Sequence, residues 1–153
     1  MSERERLRLK WWSRLVQHPD AGLHRHIAPN QRSVLSTSSG VRGIWFNYAV
    51  RKHDAGVEIY IDRGSGMQHI NYRIYDQLSA KKDQIESDFG GPLNWLALEG
   101  RQACRFGVSI RGGWRDPEEE WQKTHDQLTR AMNRLVSAIK PHLKSLEIED
   151  IAD

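Results

Sequence analysis

The chain has 153 residues, 38% of them hydrophobic, and 23 Lys and Arg against 20 Asp and Glu give a net charge of +3. That size fits one domain with a single core and requires no disulfide or metal staple. No run approaches the roughly 18 apolar residues of a membrane-spanning helix, and the lone Cys104 forms neither an internal disulfide nor a thiolate zinc cluster.

No secretory leader pattern opens the chain, so the expected compartment is the reducing cytoplasm. The mild basicity permits an anionic partner without demanding one. Six Trp are many for this length, and most are expected in the core.

Ser2-Glu3-Arg4-Glu5 fits the capping box that opens a helix. Leu9, Trp12 and Val16 then recur at helical spacing with Leu15 beside them, and Arg4, Arg6, Arg8, Lys10 and Arg14 take the rest of the surface. Pro19 ends this helix. Residues 18 to 32 carry His18, His24, His26 and Pro29 without a clear period and are expected as a loop with at most one helical turn. His24 and His26 could share an ion on a strand, but no further ligand stands at a recognised spacing, so surface histidines are expected.

Three strands are predicted next. Residues 33 to 38 form a short polar edge. Ile44 to Val50 alternates, with Ile44, Phe46, Tyr48 and Val50 on one face and Trp45, Asn47 and Ala49 on the other. Asp54-Ala55-Gly56 is predicted as a hairpin turn, and Val57 to Ile61 repeats the alternation. Gly64-Ser65-Gly66 breaks the strand. It lacks the third glycine of a dinucleotide fingerprint, and the hairpins supply no parallel unit to carry one.

Ile70, Ile74, Leu78, Ile85 and Phe89 predict one helix running to Asp88, closed by Gly90-Gly91-Pro92. A second hairpin is predicted over 93–98 and 102–110 across Glu99-Gly100. In its second strand Gln102, Cys104, Phe106, Val108 and Ile110 share one face, while Arg101, Ala103, Arg105, Gly107, Ser109 and Arg111 share the other. Gly112-Gly113 ends the sheet. Asp116 as cap, Pro117 at the first helical position and Glu118 to Glu120 on the positive end of the dipole predict a last helix. Its apolar stripe is Trp121, Leu128, Met132, Leu135, Ile139, Leu143 and Leu146, with a kink or break expected at Pro141. Residues 147–153 are expected as a frayed acidic tail.

The predicted fold is α+β: a single domain over residues 1–153, with a mainly antiparallel five-stranded sheet, order α-β-β-β-α-β-β-α, and the helices packed on one face.

No reaction is legible. A helix, three strands and a helix also begin the PD-(D/E)XK nucleases, whose magnesium chemistry needs an Asp/Glu-x-Lys. The chain contains none, and the strand concerned reads Glu58-Ile59-Tyr60, leaving only a relaxed variant on Glu58 or Asp62. The strongest feature is the basic outer sheet face. Arg101, Arg105 and Arg111 project from it, and Trp45, Asn47, Tyr60 and Trp95 are candidates for the same side, a composition suited to phosphate contacts and base stacking. Glu58 and Asp62 lie there too and could simply pair with the arginines.

The run Asn71…Tyr75-Asp76…Leu78…Lys82…Ile85-Glu86…Phe89-Gly90…Leu93…Trp95…Leu98…Arg101…Arg105 resembles the prokaryotic domain of unknown function family 4268. The strand Val57 to Ile61, Trp12 and Trp121 look similar as well. Members of that family occur alone or C-terminal to restriction-endonuclease-like domains, so the resemblance implies an accessory module in genome maintenance or defence. Glu86 is placed to pair with Arg105 or Arg101, tying helix end to hairpin. The leading expectation is a non-catalytic binding module acting on nucleic acid or on a nucleic-acid-processing partner, with no cofactor, metal or membrane. The alternatives are a protein-interaction or homodimeric subunit and a divergent magnesium nuclease.

Overall fold

A computed structural model describes residues 1–97 and 101–148; the Glu99-Gly100 turn and the tail beyond 148 lie outside the described residues. Helix α1 spans Glu3–Val16. Its capping box forms in full: Glu5 N donates to Ser2 Oγ and Ser2 N to Glu5 Oε1, each at 3.1 Å. The buried stripe is Trp11, Trp12, Leu15 and Val16. Trp11 was outside the expected stripe, yet it meets the ring of His125 edge-on at 4.3 Å and that of Trp121 at 5.1 Å. After a single 3-10 turn at Gly22–His24 the chain enters the sheet.

Strands β1 (Val34–Ser38), β2 (Ile44–Val50), β3 (Asp54–Ile61), β4 (Asn94–Ala97) and β5 (Cys104–Arg111) lie in the order β1-β2-β3-β5-β4. Every neighbouring pair is antiparallel. The expected turn at Asp54-Ala55-Gly56 is instead the start of β3. The chain reverses one step earlier, where Arg51 N donates to Asp54 O at 2.8 Å. Gly56 serves the sheet, not a turn: a Cβ there would sit 2.7 Å from Val108 O on β5.

The single helix expected up to Asp88 is two, α2 (Gln68–Ser79) and α3 (Lys82–Phe89). Continuing the stripe of Ile70, Ile74 and Leu78 would put residues 81 and 82 into the core. Both are lysines and both are exposed, so the chain bends there to restart the stripe at Ile85. Gly90, at φ 98°, then caps α3 in the left-handed region that glycine tolerates.

Helix α4 (Trp121–Leu143) follows a 3-10 turn at Glu118–Glu120. Asp116 is not its cap; its carboxylate accepts from Gly113 N at 2.9 Å and lies 2.6 Å from His53 Nδ1. Pro141 produces no break before it, because it falls in the last turn and the helix ends two residues later.

The core sits between one sheet face and the helices. Trp12, Leu15, Ile44, Ile59, Ile61, Leu128 and Leu135 are wholly buried there, each worth about 1.5–3 kcal/mol of transfer from water. Among the described residues no helix is long and apolar enough to cross a membrane.

Candidate binding face

The opposite sheet face carries a groove of about 280 Å³ whose lining comes from the strands, Ser33 and Arg51, with no helical residue. Strand register sets its side chains in rows, since residues directly opposite each other in an antiparallel pair project to the same side. One row runs Ser38, Trp45, Tyr60, Arg105, Leu96; the next runs Ser36, Asn47, Glu58, Gly107, Asn94. Trp45 and Leu96 remain 39% and 44% exposed, among the few large apolar side chains so left.

The second row is a hydrogen-bonded chain. Ser36 Oγ donates to Asn47 Oδ1 at 2.5 Å, Asn47 Nδ2 donates to Glu58 Oε2 at 3.3 Å, and Arg105 Nη1 stands 3.7 Å from Glu58 Oε1. Burial pushes the Glu58 carboxyl above its ordinary value, against the pull of Arg105 and the Asn47 amide. Gly56 and Gly107 leave the groove floor as bare backbone. A Cβ on Gly107 would collide with Val57 O and stand 2.7 Å from Glu58 Cα, so this strand crossing admits no side chain.

The sequence-predicted residues divide accordingly. Trp45, Tyr60 and Arg105 come together in one row. Asn47 lies on the same side but is only 4% exposed and spent on Ser36 and Glu58. Arg111 is the far end of β5, opposite Asp54. Arg101 precedes β5, and its carbonyl accepts from Tyr72 Oη on α2 at 3.0 Å. Trp95 is not on this face: it pairs with Phe106, and the two rings stack at 4.1 Å on the core side.

The expected Glu86–Arg105 ion pair does not form. Glu86 accepts from Leu93 N at 2.7 Å and Trp95 Nε1 at 3.2 Å, and the Leu93 bond holds its carboxyl below the usual range. The joint between α3 and β4 is therefore a carboxylate gripping backbone and indole, while Arg105 turns to Glu58. Ser36 and Leu96 went unnoticed in the sequence, because only the pairing register brings them to the Arg105 rows.

Other titratable groups serve the fold. His18 and His24 are buried, not at the surface as expected. His18 places Nε2 2.6 Å from Asp126 Oδ1 while its Nδ1 accepts from Asp20 N. His24 Nε2 bonds Phe46 O at 2.9 Å, and burial pushes its pKa down to about 4. Asp62, a carboxylate of the relaxed nuclease alternative, accepts from Gly64 N and Gln102 Nε2. Among the described residues no three His, Cys, Asp or Glu are grouped to hold a metal.

A family model described as Domain of unknown function (DUF4268) matches residues 7–143. The chain belongs to this family. No curated protein and no solved structure matches it. The match runs from within α1 to the end of α4, so the DUF4268 unit includes both the helical layer and the uncovered sheet face.

Proposed function

We propose that this DUF4268 protein is a non-catalytic nucleic-acid-binding module that uses its uncovered sheet face to hold a single strand. The observation that carries this reading is the in-register row Trp45–Tyr60–Arg105. An aromatic side chain and a guanidinium at one level of an open sheet supply stacking surface and a phosphate or cation–π contact, each base–aromatic stack being worth about 1–3 kcal/mol. The bare floor over Gly56 and Gly107 lets a flat ring approach the backbone. In a larger assembly such a module presents a strand to an enzyme that acts on it, in genome maintenance or defence.

The test is fluorescence anisotropy of labelled single- and double-stranded DNA and RNA at low salt, with Trp45→Ala and Arg105→Ala. Tighter binding of single strands, weakened by either substitution in a folded protein, supports the reading. Absence of binding at low salt excludes it.

A second reading rests on the exposed Leu96 and on the Glu58–Arg105 pairing, which leaves the middle of the face close to neutral. Those features suit a protein surface or a second copy of the chain. Light scattering over a concentration series separates this reading: a dimer dissociated by Leu96→Asp favours it.

A further inference from the structure

A second groove of about 640 Å³ lies between α1 and the loop before β1, lined on the helix side by Arg4, Glu5 and Arg8 and on the loop side by residues up to Arg32 and Ser33. Its geometry is built by the core. The wholly buried Trp12 donates from Nε1 to Arg32 O at 2.9 Å, which fixes that loop residue against α1. Asn30 locks the same loop from the other side, accepting from Arg32 N at 2.7 Å and donating to Val34 O at 3.2 Å. Three guanidinium groups from two distant parts of the chain are thereby brought to one concavity.

Their charge is only partly matched locally: Glu5 lines the same groove and feels Arg4, leaving one carboxylate against three guanidinium groups. Two other cations of α1, Lys10 and Arg14, both reach Glu118, at 2.6 and 2.7 Å. Glu3 is taken by Arg115. Glu5, the acid in the groove, is held by the Ser2 backbone N–H at 3.1 Å. Among the described residues no carboxylate pairs with Arg4, Arg8 or Arg32, and Arg8 Nε is shielded from water with no acceptor. Like charges within a Debye length repel, about 8 Å at physiological salt, and the arginine fork matches phosphate oxygens bidentately.

We infer that this groove holds phosphodiester groups of a nucleic-acid strand whose bases continue onto the outer sheet face. Ser33 lines both grooves, so a strand leaving the arginines passes over the β1 edge directly onto the face. The inference rests on the proposed function for the direction of that path, and a membrane surface is disfavoured because a flat bilayer would not follow it.

The experiment uses the full chain, labelled oligodeoxythymidylates of increasing length and a salt series. Variants Arg8→Gln with Arg32→Gln, and separately Arg4→Gln with Arg32→Gln, are compared with Trp45→Ala, each first checked for folding by circular dichroism. Each double substitution is expected to reduce the slope of log K against log salt by about 1.4, at about 0.7 for each single-strand phosphate left without its arginine. Affinity for long oligomers should fall at least tenfold, and affinity for the shortest binding oligomer should not change. An unchanged slope in both folded double variants, with Trp45→Ala still weakening binding, overturns the groove and leaves the sheet face standing. Binding abolished at every length in the arginine variants but untouched by Trp45→Ala keeps phosphate contacts in the groove and overturns the path onto the sheet face. No binding by the wild type, or equal binding to anionic phospholipid vesicles, overturns the assignment to nucleic acid.

Discussion

Trp45 on β2 lies directly opposite Tyr60 on β3, on the sheet side that the helices leave bare. Arg105 follows Tyr60 on β5, so three residues far apart in sequence form one level of a surface. Beneath them Glu58 sits half buried with Arg105 on one flank and the Asn47 amide on the other. This arrangement yields stability predictions that can be checked without a ligand.

Glu58 has its carboxyl raised, burial outweighing Arg105 and Asn47. A carboxyl raised in the folded state favours folding when protonated and opposes it when ionised, so its penalty grows as pH rises through the folded value. Glu58→Gln, which mimics the protonated form, should raise the thermal midpoint by a few degrees at pH 7. The gain should disappear once the solution falls below the ordinary Glu value of 4.5. Thermal melts across pH 3 to 8 measure this; a lowered midpoint at pH 7 would show that the ion pair outweighs burial.

Glu86 should behave in the opposite sense. The Leu93 N–H and then the Trp95 indole hold its carboxyl below the usual range. Its stabilisation is present above 4.5, the unfolded value, and is lost as pH falls through the folded one. Glu86→Gln should therefore lower the midpoint at pH 7 and converge with wild type in acid. The same melts read it, and equal midpoints at pH 7 contradict it.

His24 and His125 are both pushed down to about 4, mainly by burial. Depressed histidines stay neutral in the folded chain and charge on unfolding, so stability falls as pH drops from the unfolded value of 6.5 toward 4. Replacing His125 with Gln should flatten part of that decline, as followed by denaturant melts at pH 7 and pH 5. An unchanged pH dependence would mean that His125 is not desolvated in solution.

Gly107→Ala should destabilise by about 1–3 kcal/mol or more, the usual range for forcing an atom into a packed site, because its Cβ meets the β3 backbone. Gly91→Ala has nothing within 4 Å and no positive φ, and should be neutral or slightly stabilising. Urea melts of the two variants give the comparison, and equal midpoints would contradict the tight β3–β5 crossing.

The sequence made the sheet and its faces legible because alternation in Ile44–Val50 and Val57–Ile61 is a local signal. It misplaced the β2–β3 turn because Asp54-Ala55-Gly56 has turn composition, while the need for glycine there comes from Val108 across the sheet. The bend at Lys81 was hidden by a period that still counted correctly from Leu78 to Ile85. At the site, the Trp45–Tyr60–Arg105 face followed from parity alone. The true partners of Arg105 and Glu86 did not. Glu58 reaches Arg105 only because β3 lies beside β5 at that register. Glu86 is bound by Leu93 N and the Trp95 indole through the shape of the α3–β4 turn. The arginine groove was illegible for a similar reason: Arg32 is held against α1 by the Trp12 hydrogen bond, a contact between residues 20 apart.

The most direct test of the binding face is anisotropy of a labelled single-stranded oligonucleotide at low salt with wild type, Trp45→Ala and Arg105→Ala. Binding by the wild type, weakened about fivefold or more by Trp45→Ala in a protein that still folds, is predicted from the removal of one stacking platform. Identical affinities in all three proteins, or no binding by any of them, would contradict it.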